Sequence, residues 1–149
     1  MGQQQLLLVI LVTIIVGIAT VVALNVFGTQ ADEANRDAVR QDILSAAANA
    51  QGFYIRPEMM EGGAYSFDDS SGEELTIEAL GIPGSEEGGN WVNENGTYSL
   101  DTDGGADNFT ITAEPASGTE DIEAFIAVCD GGADDDDEVD IGWDGENPC

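Results

Sequence analysis

The pattern of apolar and polar positions changes character twice along the chain. From Leu6 to Phe27 there are 22 residues without a charge. As a helix, at 1.5 Å per residue, this run spans about 33 Å, and the hydrocarbon core of a bilayer is roughly 30 Å thick. It is longer than the apolar core of a secretory signal, and no Lys or Arg precedes it. From Ala31 to Tyr54 the pattern becomes two-faced. Apolar residues stand at Ala31, Ala34, Ala38, Val39, Ile43, Ala46, Ala47, Ala50 and Tyr54, while Asp32, Glu33, Arg36, Asp37, Arg40 and Gln41 take the other side. That is the stripe of an amphipathic helix. No proline interrupts the second stretch, and its one glycine is Gly52. The two stretches together predict one helix from about Gln3 to Gly52. Pro57 disfavours helix at Arg56 and sets the boundary. Gly17, Ala19, Thr20 and Ala23 are small enough to let another helix approach closely in an apolar setting. Gly28 permits a bend, at a helix cost of about 1 kcal/mol relative to alanine.

Beyond Pro57 the period shortens. The runs "AYSFDD", "ELTIEAL", "NWVN", "TYSLDT", "NFTITAE", "IEAFIAVC" and "EVDIGW" read as strands. Alternation is best in the fifth, where Phe109, Ile111 and Ala113 oppose Thr110, Thr112 and Glu114. Asn95-Gly96 between two such runs signals a hairpin. Gly-Gly pairs at 62–63, 88–89, 104–105 and 131–132 punctuate the rest. An antiparallel sheet needs cover for its apolar face, and the stripe of the second half-helix is the obvious cover. The predicted class is α+β: a long N-terminal α-helix packed against a C-terminal antiparallel β-sheet. Residues 1–28 form the apolar half of the helix, 29–55 its amphipathic half, and 56–149 the globular head.

Charge narrows the function. The 149 residues hold 30 acids and 3 arginines (Arg36, Arg40, Arg56), with no lysine or histidine, for a net charge of −27. Such a surface cannot neutralise phosphates, so nucleic acid is excluded as a partner. Disorder does not fit either, because 42% of the residues are hydrophobic. Crowded carboxylates suit a medium of high salt, where the Debye length falls to about 3 Å. Without histidine or lysine the usual bases and activated nucleophiles are missing, which argues against an enzyme. Cys129 and Cys149 beside an export-type segment are either a disulfide or two free thiols. They lack the spacing and histidine partners of a zinc site.

The residues "GQQQLLLVILVTIIVGIATVVALNVF", followed by "ADEANRDAVRQDILSAAANAQGFY", resemble the type IV pilin and pseudopilin family. The resemblance implies a subunit anchored in the inner membrane before assembly and processed by prepilin peptidase, with either Met1 or Gln3 as first mature residue. It then joins copies of itself in a helical homopolymer through the pilus assembly machinery. Gln5, Leu6, Leu7, Leu8, Val9, Ile10, Leu11, Gly17 and Gly28 are the assembly residues on this reading. Gln5 stands where the family usually has glutamate, so any contact with a neighbour's terminal amine would be a neutral hydrogen bond. The resemblance also implies the disulfide Cys129–Cys149, which closes a loop whose entropy is worth about 3 kcal/mol. Three readings stay open: a filament subunit, a minor pseudopilin of a type II secretion system, and a membrane-anchored binding domain that never polymerises.

Smaller motifs complete the reading. Asp101, Asp103 and Asp107, and the run from Asp134 to Asp140, are candidate calcium ligands by residue type. A chain so rich in acid also makes such clusters as plain solvated loops, and no other cofactor is implied. Asn95-Gly96-Thr97 and Asn108-Phe109-Thr110 are glycosylation sequons; Asn95 also suits a turn, and Asn108 a strand entry. Arg36 and Arg40 share a helix face and are candidates for ion pairs between subunits, or for an intrahelical pair of Arg36 with Asp32 or Glu33.

Overall fold

The computed structural model of the chain describes residues 2–69, 73–102, 105–129 and 138–149. Helix α1 runs from Gly2 to Tyr54, 53 residues, one residue earlier and two later than the pattern predicts. By compactness the chain divides into two units, Met1–Ala34 and Asn35–Cys149. The first is helix alone. The second holds the rest of α1 and a six-stranded antiparallel sheet, packed together in an α+β fold.

The strands are β1 (Ser85–Glu87), β2 (Asn90–Val92), β3 (Gly96–Asp101), β4 (Asn108–Pro115), β5 (Ile122–Cys129) and β6 (Glu138–Trp143), lying side by side in chain order. Alternation explains which face is covered. Phe109, Ile111 and Ala113 of β4 are buried, as are Ile122, Ala124 and Ile126 of β5. Their inward side chains meet Val39, Ile43, Ala46, Ala47, Ala50, Phe53 and Tyr54 of α1 in one core. Ala31 and Ala34 are exposed, so the buried part of the stripe begins further along than predicted.

Two predicted strands are absent. "AYSFDD" caps the helix instead. Gly63 N–H donates to Phe53 O at 3.1 Å, Tyr65 N–H to Tyr54 O at 2.8 Å and Ala64 N–H to Arg56 O at 2.9 Å. Ala64 and Tyr65 adopt φ of 49° and 69°, which no strand accommodates. "ELTIEAL" is a turn-rich segment in which Leu80 N–H donates to Thr76 O and Gly81 N–H to Glu78 O. Its Leu75 and Leu80 still enter the core. One strand, β1, has no apolar alternation to announce it; all three of its residues are exposed, and it exists by pairing with β2.

The Asn95-Gly96 hairpin is present, but a different device closes it. Asn93 Oδ1 accepts from Asn95 N–H at 2.8 Å and Gly96 N–H at 2.9 Å, and Trp91 pairs with Tyr98. Gly96 belongs to β3, and a Cβ there would stand 2.4 Å from Glu114 O. Glycine is needed for that close approach to β4.

Candidate functional site

In the first unit the threonine hydroxyls bond back to the helix itself. The Thr13 hydroxyl donates to Ile10 O at 2.8 Å, Thr20 to Val16 O at 2.8 Å and Thr29 to Asn25 O at 3.1 Å. Each bond satisfies a hydroxyl without water, as an apolar environment demands. Gln5, Leu6, Leu7, Leu8, Val9, Ile10 and Leu11 are all exposed. Leu6 is 62% exposed and Phe27 69%. The helix runs through Gly17 and Gly28, and a Cβ at either would meet nothing within 4 Å. Neither glycine is therefore required by packing within the chain. This helix is long and apolar enough to cross a membrane.

In the second unit α1 is bound to the head by polar side chains seven residues apart. Asn35 Nδ2 donates to Asn95 O at 2.9 Å, and its Oδ1 accepts from Ser117 N–H at 3.1 Å. Asp42 Oδ2 accepts from Asn93 Nδ2 at 3.0 Å, Asn95 Nδ2 at 2.9 Å and the Tyr98 hydroxyl at 2.7 Å. Asn49 Nδ2 donates to Leu80 O at 2.7 Å. Burial pushes the Tyr98 phenol well above its ordinary range, and its hydrogen bond to the Asp42 carboxylate pushes the same way. Tyr98 therefore stays a donor. Sequence reading missed this ladder; its one trace is the seven-residue spacing of Asn35, Asp42 and Asn49 beside the stripe.

Within the chain the two helix cations differ. Arg40 pairs with Asp37 at 3.9 Å, three residues back and in solvent, a contact worth a few tenths of a kcal/mol. Arg36 is half-buried, and among the described residues it pairs with neither Asp32 nor Glu33.

The disulfide joins Cys129 to Cys149, with Cα atoms 5.5 Å apart. What it secures is a strap, residues 144–149, folded back over the outer face of the sheet. A Cβ on Gly142 would stand 1.8 Å from Glu146 O and 3.0 Å from Pro148 Cδ, so only glycine lets the strap lie there. Between strap and sheet is a shallow cavity of about 230 Å³, lined by Thr110, Glu123, Phe125, Gly145, Glu146 and Asn147.

Of the candidate calcium ligands, Asp107 Oδ1 accepts from the Tyr54 hydroxyl at 3.0 Å, closing the end of α1 onto the head. Asp101 ends β3. Asp103 and Asp134–Asp137 lie outside the described residues. No group of three or more acids, histidines or cysteines is arranged to hold a metal among the described residues. No protein family, curated protein or solved structure matches the chain.

Proposed function

We propose that this chain is a structural subunit of an extracellular filament of the type IV pilus kind, polymerising through its apolar half-helix. The observation that supports it is the division of labour along α1. Residues from Val39 to Tyr54 bury their stripe under the sheet, while Leu6 to Phe27 expose theirs and satisfy every threonine hydroxyl internally. A surface so built needs an apolar partner from outside the chain, first lipid and then copies of itself. Lipid and helix bundle are similarly apolar, so close packing and the assembly machinery, rather than the hydrophobic effect, drive the exchange. The open space at Gly17 and Gly28 suits that close approach. Arg36 and Arg40 are the available cations for acids of neighbouring heads.

Negative-stain microscopy of sheared surface material, with N-terminal mass analysis, tests the proposal. Filaments composed mainly of this chain are expected, and Gly17→Leu should cut their yield by an order of magnitude or more without lowering membrane insertion. Detergent-soluble monomers with no filaments would identify an anchored binding domain instead. A trace presence in filaments of another subunit would identify a pseudopilin.

A further inference from the structure

The two sequons are not equivalent in the fold. The acceptor nitrogen of Asn95 donates to Asp42 Oδ2 at 2.9 Å, within the half-buried cluster that fastens the β2–β3 hairpin to α1. A sugar on that nitrogen would have to displace the cluster. Asn108 opens β4, is half-exposed, and its amide nitrogen donates to no group among the described residues. Because strand side chains alternate, Asn108 and Thr110 share the outer face, opposite buried Phe109. The amide and the hydroxyl that define the sequon are thus presented on one surface. Thr110 also lines the cavity under the strap, one strand repeat of roughly 7 Å from Asn108. Phe125, the partner of Thr110 across the strands, offers an apolar ring there, and Asn147 adds an amide. The carboxylates of Glu123 and Glu146 border the same space; they accept from hydroxyls and repel anions.

We propose that Asn108 is an N-glycosylation acceptor, that Asn95 is not, and that the first sugar on Asn108 is uncharged and lies against the Phe125 cavity. In the transfer, Asn108 Nδ2 bonds to the anomeric carbon of a polyprenyl-phosphate-linked oligosaccharide. The bond from that carbon to the phosphate oxygen breaks, the carrier leaves with the electron pair, and the amide proton passes to a base of the membrane transferase. The proposal requires export, in keeping with the disulfide, and is independent of whether the chain polymerises.

Mass spectrometry of the chain from its own source tests this. The arginines all precede residue 57, so cleavage beside acidic residues is needed; Asp101, Asp103 and Asp107 then separate the two sequons. The Asn108 peptide should carry a glycan whose first residue is a neutral hexose or hexosamine, and the Asn95 peptide should have its unmodified mass. Thr110→Ser should keep the glycan, while Thr110→Val and Asn108→Gln should lose it with the circular dichroism unchanged. An unmodified Asn108 in native material, a glycan on Asn95, or an acidic first sugar would overturn the proposal.

Discussion

Asp42 accepts three side-chain hydrogen bonds through one oxygen. Replacing it by alanine strands the half-buried Asn93 and Asn95 donors and the buried Tyr98 hydroxyl, at a cost of about 1–3 kcal/mol. Urea unfolding of Asp42→Ala should show a lower midpoint with an unchanged slope. The same cluster sets an alkaline limit. The Tyr98 proton is held more tightly in the folded chain than in the unfolded one. Its contribution is therefore fully present below the ordinary tyrosine pKa of about 10 and is lost as pH rises above it, because only the unfolded chain ionises readily. Stability followed by circular dichroism should fall between about pH 10 and 12, and Tyr98→Phe, although less stable at neutral pH, should show a shallower fall. An equal slope in both proteins would remove Tyr98 from the account.

At the scale of elements, what was legible in the sequence is what repeats. The second half of α1 and strands β4 and β5 rest on periodic burial; the first half of α1 was legible as an unbroken apolar run, its end from Pro57, and β2, β3 and β6 as short runs between turn residues. Number and setting left Cys129 and Cys149 as a disulfide or two free thiols; the disulfide that the resemblance implied is the one present. The failures have physical causes. In "AYSFDD" Ala64 and Tyr65 donate back to Arg56 O and Tyr54 O around the end of α1, and in "ELTIEAL" Leu75 donates to Phe67 O while Leu80 sits in a turn. Strand β1 is made by its neighbour. The Asn35–Asp42–Asn49 ladder was hidden because its partners are backbone groups and side chains 31 to 82 positions away in sequence. The strap was equally hidden, since a glycine in "DIGW" does not say what crosses it. Gly142→Val places side-chain atoms where Glu146 O lies. It should lift residues 144–149 off the sheet, which hydrogen exchange in 144–149 would report as faster, and lower stability by about 1–3 kcal/mol.

For the whole molecule, a charge of −27 opposes every compact state. Within a Debye length of about 10 Å at 0.1 M salt the carboxylates feel one another; at 1 M, about 3 Å, they largely do not. The thermal midpoint should therefore rise steeply with sodium chloride and hardly at all with sucrose of matched osmolality, and any filaments should loosen in deionised buffer. A midpoint indifferent to salt would show that the acids are not crowded enough to matter. The ladder on α1 has a mechanical consequence as well. Its rungs are spaced alike, so a slip of the helix by one turn, about 5.4 Å, unseats all of them together. Tension applied along α1 would load Asn35, Asp42 and Asn49 in shear as a set. The head would hold without creep and then let go in a single rupture.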